Sequence, residues 1–146
     1  MSLSKYRYGD DYIREYNIRP HQPKSGYTAA LGDLVVRDTT LSDAVDYAAA
    51  GEIPLGFVVS INSSNGTISV AEFYGGVTIV LPHDDSLDAI GNKVSAVGSR
   101  STTIYPTRDR VKKDNSGGGY VLAYTTVAGV GSSPAGAGTC VVQWIS

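Results

Sequence analysis

Cysteine, histidine and charged residues are all scarce in this chain of 146 residues. It has one cysteine and two histidines, and only 18% of its residues are charged. A single cysteine cannot form an internal disulfide, so the fold does not depend on oxidation. No run approaches the roughly 18 apolar residues of a membrane helix, and residues 1–17 lack the apolar core of a signal peptide. We therefore expect a soluble protein that is made in the cytoplasm and has no membrane partner.

The net charge of −2 is small and is unevenly distributed. Residues 1–27 carry five basic and three acidic side chains, whereas residues 28–146 carry seven basic and eleven acidic ones. A dedicated nucleic-acid-binding protein usually has a strongly basic face. The only basic cluster, in residues 108–113, is interrupted by an aspartate and followed by another. We therefore predict that nucleic acid is not a partner.

Patterns of catalytic and metal-binding residues are missing as well. His21 lies between two prolines, and His83 is followed by Asp84 and Asp85 without a nearby nucleophile. Neither a His-x-x-x-His nor a Cys-x-x-Cys spacing occurs, and no calcium-loop pattern is present. Cys140 has no basic neighbour in the sequence, which indicates a buried thiol rather than a reactive one. We predict a protein that is not an enzyme and has no cofactor and no metal.

The composition favours a mainly β fold. Glycine is abundant, with 17 residues, and no long helical periodicity is found. An Asn65-Gly66 hairpin turn is expected inside a three-strand meander that covers residues 55–81. Residues 108–119 and 129–138 are expected to be loops. The apolar and alternating runs predict strands at residues 34–37, 55–61, 67–73, 77–81, 93–97, 102–105, 120–127 and 139–145. The prediction is a small β-sandwich or barrel of about seven to eight short strands, with at most one or two short helical turns.

One such helical turn is predicted before the meander. Ser42 can cap a short helix from Asp43 to Ala50, and Gly51 is a stop signal. A structured loop is the alternative.

The last predicted strand is apolar on both faces. Its alternation places three apolar residues on one face: Cys140, Val142 and Trp144. The other face carries Val141, Gln143 and Ile145. Both faces are apolar enough to be covered, so one of them is expected to meet a partner or a second sheet.

Residues 1–27 are predicted to form an extended N-terminal arm that precedes a β domain at residues 28–146. Pro20 and Pro23 favour extended backbone in this segment. Tyrosine and arginine are enriched at binding hot spots, and tyrosine offers a large rigid contact at low entropic cost. An arm without an aliphatic core should become ordered only on a partner. The expected partner-binding residues are Tyr6, Arg7, Tyr8, Tyr12, Arg14, Tyr16 and Arg19.

Three runs of the β domain carry a family resemblance. They are residues 32–36 (GDLVV), residues 48–58 (AAAGEIPLGFV), and residues 119–124 (GYVLAY), which an Ala-Gly loop and a closing apolar strand follow. With these runs the chain resembles the capsid decoration, or cement, proteins of tailed bacteriophages. In that family an Ala-Gly-Glu-x-x-Leu-Gly-x-Val run follows an early strand and precedes the main meander. The arm is a departure, since many relatives carry shorter and less aromatic tails.

The resemblance implies a structural virion protein on the outer capsid surface. Such proteins bind the outside of an expanded capsid, often as trimers, and clamp neighbouring capsomers. The implied partners are the major capsid protein and neighbouring copies of this chain, and no catalytic residue is carried over. A second hypothesis is a tail- or fibre-associated adhesin or carbohydrate-binding domain of a virion. A third is a small enzyme that uses His83 and Asp84.

Overall fold

The computed structural model describes residues 7–8, 11–12, 17–38, 44–73, 78–84, 86–99, 109–125 and 138–145. Every regular element in these residues is a β-strand, so the predicted mainly β class is confirmed. The described part of the chain contains no helix with the length and apolar character needed to cross a membrane. The strands are β1 Arg7–Tyr8, β2 Asp11–Tyr12, β3 Asn17–Pro23, β4 Leu34–Arg37, β5 Ala44–Tyr47, β6 Gly56–Ile61, β7 Ile68–Glu72, β8 Thr78–His83, β9 Lys93–Ala96, β10 Val111–Lys113, β11 Gly119–Thr125 and β12 Gly138–Trp144.

The first barrel is closed and consists of five strands in the order β3-β5-β4-β6-β7. Its strand pairs are antiparallel except for β3 with β5, which run parallel. That parallel contact is short: Gln22 lies opposite Ala44, and Pro23 lies opposite Val45. β-Branched side chains suit strands because they pack well on a pleated surface. Five of them are buried together in this barrel: Val35, Val45, Val58, Ile68 and Val70.

The second barrel is also closed and has the order β10-β8-β12-β11-β9. β12 pairs along its length with β8 on one side and with β11 on the other. The register shifts between Val121 and Ala123 of β11, which leaves a bulge at Leu122. β8 meets β10 in parallel at one pair, Val111 with His83. Both barrels are thus closed by a short parallel contact between strands distant in sequence.

One continuous apolar cluster contains residues of both barrels. Leu34 and Phe57 belong to it, whereas their chain neighbours Val35 and Val58 belong to the cluster inside the first barrel. Successive residues of a strand point to opposite faces, so these strands are covered on both sides. The second barrel contributes buried residues that include Leu81, Val94, Val121, Val142 and Trp144. The two barrels therefore pack against each other through a shared core.

Phe73 and Trp144 form the aromatic centre of that core. Phe73 directly follows β7, and its ring stacks on Trp144 with centroids 5.0 Å apart and planes 6° apart. The ring of Phe57 lies 6.0 Å from the ring of Phe73. Trp144 is the only tryptophan of the chain. It therefore reports directly on the joint between the barrels.

Backbone hydrogen bonds also connect the two barrels. The amide of Gly51 donates to the carbonyl of Ala96 at 3.0 Å, and the amide of Ala96 donates to Glu52 at 3.0 Å. Gly98 follows β9 with a φ of +89°, and a Cβ there would lie 2.4 Å from the backbone nitrogen of Ala50. Both the left-handed φ and the close approach require glycine at this position.

The predicted arm is wrong for residues 17–23, which form strand β3 of the first barrel. Residues Asn17 to His21 lie opposite Glu72 to Ile68 of β7. Ile18 packs against the shared cluster, and His21 is buried. A strand with little aliphatic content is stable here because β7 and β5 satisfy its backbone and the barrel covers these two side chains. The prolines hold extended backbone, as predicted, but within a sheet.

The predicted helix between Asp43 and Ala50 is also wrong. Ala44–Tyr47 is strand β5, which pairs with β4 over Val35 to Arg37. Val45 is buried among the β-branched residues inside the first barrel. Tertiary burial of Val45 outweighs the local capping signal, which is worth only about 1 kcal/mol.

Strand pairing departs from the predicted meander. β6 and β7 form the expected hairpin, and Gly66 has the positive φ of 76° that its turn requires. β8 does not continue it, because β8 pairs with β12 in the second barrel. The predicted loop at 108–119 contains strand β10. The predicted strand at 102–105 lies outside the described residues, as does nearly all of the predicted loop at 129–138.

Candidate partner-binding surface

The outer side of β11 and β12 carries a set of exposed apolar residues. The inward residues of β12 are buried, as predicted: Cys140, Val142 and Trp144. The opposite face of β12 is open, with Val141 half-buried and Gln143 and Ile145 exposed. On β11, Tyr120 lies opposite Gln143 and is half-buried, and Leu122 is exposed at the bulge. The face of β12 that was expected to be covered is therefore uncovered in the chain alone.

Residues from two loops extend this side. Ile53 lies in the space that a side chain at Gly118 would take, since its Cγ2 is 2.5 Å from an ideal Cβ there. The amide of Ile145 donates to the carbonyl of Gly118 at 2.9 Å, so Ile145 also lies next to Gly118. The amide of Gly91 donates to the carbonyl of Val121 at 2.8 Å, so the chain at Ile90 runs beside the first half of β11.

We call this surface the apolar face; it consists of Ile53, Ile90, Tyr120, Leu122 and Ile145. Its four aliphatic members are between 44% and 64% exposed, and they make up most of the large exposed apolar residues in the described part of the chain. A cluster of this kind marks an interaction site more often than scattered residues do. Lys93 lies over the Tyr120 ring at 5.6 Å and adds one positive charge.

The seven partner-binding residues predicted in the arm are only partly described. Three lie outside the described residues: Tyr6, Arg14 and Tyr16. Three others, Arg7, Tyr8 and Tyr12, lie in the two-stranded sheet of β1 and β2. In this sheet Arg7 pairs with Tyr12, and Tyr8 pairs with Asp11. This sheet lies near β8 of the second barrel. Their role in binding stays a prediction.

Arg19, the seventh of these residues, lies in β3 and is the exposed member of a group that also contains His21 and Glu72. Its Nε is 3.9 Å from Oε1 of Glu72, and its side chain is 62% exposed. Nε2 of His21 lies 2.6 Å from Oε2 of Glu72, and both of these side chains are largely buried. The two partners satisfy the buried carboxylate, so this group anchors β3 to β7. Sequence reasoning placed His21 in a mobile arm and missed this role.

His83, which the third hypothesis makes catalytic, is buried at the end of β8. Its Nδ1 lies 2.5 Å from the carbonyl oxygen of Asp84, and its ring meets the edge of Tyr124 at 5.7 Å. Burial raises the pKa of Tyr124 above its ordinary value and raises the pKa of the Cys140 thiol to about 12. A thiol with so high a pKa is not a nucleophile at neutral pH. These groups therefore act as parts of the core.

Two further basic side chains, those of Arg110 and Lys113, have partners close by. The Arg110 guanidinium donates to Oγ of Ser99 at 3.2 Å, and Nζ of Lys113 lies 2.9 Å from Oδ2 of Asp88. The described residues contain no group of three or more His, Cys, Asp or Glu side chains arranged to hold a metal ion.

No protein-family model matches the chain, and no curated protein matches it at a significant level.

Proposed function

We propose that the chain is a structural virion protein that binds the outer surface of a phage capsid and cements neighbouring capsomers. The observation that carries the proposal is the apolar face, because it presents exposed isoleucine and leucine side chains on a closed barrel. Closure leaves little flexibility to lose on binding, and that lowers the entropic cost of association. The residue runs in 32–36, 48–58 and 119–124 supply the resemblance to cement proteins.

The proposed partners are the major capsid protein and neighbouring copies of the chain in a trimer. The N-terminal segment before β3 acts as a second contact, with tyrosine and arginine side chains as its anchors. A ligand that binds only the mature shell stabilises it by its own binding free energy. Two linked contacts on adjacent capsomers add avidity, since the second contact becomes intramolecular.

Binding to emptied phage heads tests the proposal. Purified protein should co-sediment with expanded heads and raise their melting temperature. Leu122→Asp together with Ile145→Asp should weaken binding at least tenfold, because loss of an interface hot spot costs roughly 2 kcal/mol. Ile61→Asp is the matched control, since Ile61 is equally exposed but lies on the first barrel.

Truncation separates the two contacts. The deletion should end at residue 16, because β3 begins at Asn17 and belongs to the barrel. We expect this deletion to reduce binding while leaving the unfolding temperature unchanged. Failure of the full-length protein to bind heads under any condition would reject the proposal. Binding to a glycan array instead would support the adhesin hypothesis.

A further inference from the structure

The two barrels share one strand topology. In each barrel, counted in chain order, the first strand runs parallel to the third and antiparallel to the fifth. The second strand pairs with the third and the fourth, and the fourth pairs with the fifth, all antiparallel. Strands β3 to β7 therefore correspond in order to strands β8 to β12, and the chain contains the same five-stranded unit twice.

The register of the two units also agrees. Gly56 of β6 and Gly119 of β11 each lie opposite a valine of the second strand. The register of the fourth strand then shifts at the same place in each unit, at Val59 and at Leu122. The residues inside the first barrel have buried counterparts in the second: Val35 with Val94, Val45 with Val111, Val58 with Val121, Ile68 with Cys140, and Val70 with Val142.

The turn before the second strand repeats in sequence as well. Residues 30–35 read ALGDLV, and residues 89–94 read AIGNKV. In both runs the amide of the alanine donates to the side chain of the fourth residue, Asp33 at 2.9 Å and Asn92 at 3.0 Å. The glycine of each run has a positive φ, 83° in the first and 92° in the second. Residues of one barrel can therefore be matched individually to residues of the other.

Matched residues on the outer side of the two barrels differ in exposure. In the first barrel these residues belong to the shared core or pack against it: Leu34, Phe57, Val59, Ala71 and Phe73. Their counterparts in the second barrel are Lys93, Tyr120, Leu122, Gln143 and Ile145. Leu122, Gln143 and Ile145 are exposed, and the other two are half-buried. Three members of the apolar face are therefore counterparts of the surface by which the first barrel packs on the second.

The contact within the chain joins unlike surfaces of the two barrels. A contact between like surfaces would bury Ile145 as it buries Phe73, but Ile145 is 49% exposed and Phe73 only 8%. The second barrel instead meets the first with a surface that includes Ala96, which hydrogen-bonds to the loop at 51–52, and Trp144, which stacks on Phe73. A head-to-tail contact of this kind leaves one face free for a further unit, whereas a contact between like surfaces is complete with two.

We propose that the apolar face binds the first barrel of a neighbouring copy of the chain, and so repeats between copies the head-to-tail contact that the barrels make within one. Contacts of this type form a closed ring when the rotation between units allows it. The inference rests on the proposed function in that both use the apolar face for binding, and it names a neighbouring copy as the partner at that face.

The expected docking surface on the first barrel follows from the match. Ala96 corresponds to Arg37, and Trp144 corresponds to Glu72. Arg37 is exposed, and Glu72 lies beside the exposed Arg19. The docking surface of the neighbouring copy is therefore charged, unlike the surface that the second barrel presents within the chain.

The apolar face is more polar than its counterpart in the same way. Tyr120 and Gln143 stand where the first barrel has a phenylalanine and an alanine. Tyrosine and arginine are enriched in interfaces between separately folded chains, and the rims of such interfaces are polar. Polar groups thus replace apolar ones on both surfaces together, as expected of surfaces that meet between copies rather than inside one chain.

Sedimentation of the purified full-length protein without phage heads tests the proposal. The natural protein should form oligomers. Leu122→Asp together with Ile145→Asp puts charges on the apolar face, and Arg37→Glu reverses a charge on the docking surface. Each variant should weaken self-association roughly tenfold or more. Thermal unfolding checks that each variant is folded, and Arg37→Ala, which should also weaken association, is the milder variant of the docking surface.

Mixing the two variants distinguishes head-to-tail from face-to-face association. The apolar-face variant keeps its docking surface, and Arg37→Glu keeps its apolar face, so one intact contact remains between them. The mixture should form one-to-one pairs and no larger oligomer. Lys24→Glu is the matched control for charge reversal, because Lys24 is an exposed cation of the first barrel, with a side chain 46% exposed. It should associate like the natural protein.

The proposal is overturned if the natural protein remains monomeric, or if the mixture of variants forms no pairs. It is also overturned if the apolar-face variant dissociates while both Arg37 variants associate normally, since that result indicates contact between like surfaces. A monomer that still binds phage heads would leave the proposed function standing. Oligomers that bind no heads would overturn that function alone.

Discussion

Replacing Phe73 with alanine removes the ring that stacks on Trp144 and joins the two barrels. Phe73 is 8% exposed, and its ring lies 5.0 Å from that of Trp144 and 6.0 Å from that of Phe57. Truncating a buried phenylalanine costs about 3–5 kcal/mol, and an aromatic pair contributes roughly 0.5–1.5 kcal/mol beyond its buried area. Because Phe73 retains slight exposure, we expect a loss of about 3–4 kcal/mol.

Such a loss is large for a chain of this size. Domains are stable by about 5–15 kcal/mol, so Phe73→Ala should remove a substantial fraction of the total. At roughly 2–4 °C per kcal/mol, the melting temperature should fall by about 10 °C. The shared core further predicts that the barrels unfold together, so urea curves followed by circular dichroism and by Trp144 fluorescence should coincide.

Ile61→Ala is the control for this experiment. Ile61 is 42% exposed on β6, and surface substitutions usually change stability by no more than about 0.5 kcal/mol. The reasoning is refuted if Phe73→Ala costs less than about 1 kcal/mol. It is also refuted if the natural protein unfolds in two separate steps and the substitution moves only one of them.

Three further substitutions and one labelling reaction test the local arguments. Gly98→Ala should lower the free energy of unfolding by more than about 2 kcal/mol, because the new Cβ would clash with the backbone of Ala50 and the φ at this position is unfavourable for alanine. Gly66→Ala should cost about 1 kcal/mol, because the φ is also positive but the space around a Cβ is open. Thermal unfolding of the two variants compares these costs. Cys140 should resist a thiol reagent at pH 8 in the folded protein and react in urea, since its pKa is raised to about 12; fast labelling of the native protein would contradict this. Glu72→Ala leaves His21 buried without its carboxylate and should cost about 1–3 kcal/mol by urea unfolding, while a neutral result would mean that the pair contributes nothing.

Local patterns predicted most single strands and one turn correctly. The runs at 34–37 and 139–145 and the Asn65-Gly66 turn depend on alternation and on positive φ, which neighbouring residues determine. The buried faces of Cys140, Val142 and Trp144 followed from the same alternation. Pairing could not be read in this way, because β7 and β8 are consecutive in the chain yet lie in different barrels.

The errors share one physical cause, which is burial by residues distant in sequence. The local sequence of residues 17–23 is typical of an extended arm, but pairing with β7 makes it a strand. The local sequence around Val45 favours a helix, but burial of Val45 inside the first barrel makes it part of a strand. The apolar face was predicted only in part: alternation identified the second apolar side of β12, but not Ile53 and Ile90, which lie in loops. The burial of Asp109 gave no signal, since a single aspartate in a charged stretch does not reveal that it contacts Gly32 and Leu34 of the first barrel.

The shared core has a consequence for the order in which the chain is synthesised. All strands of the first barrel are complete at Glu72, so this barrel can close while the second half is still being made. Its outward residues, such as Leu34 and Phe57, then have no cover until the second barrel has been made, including Trp144 in β12. A nascent chain in that state exposes a sticky apolar surface. Chaperone dependence and aggregation during expression should therefore be highest for fragments that end between the two barrels.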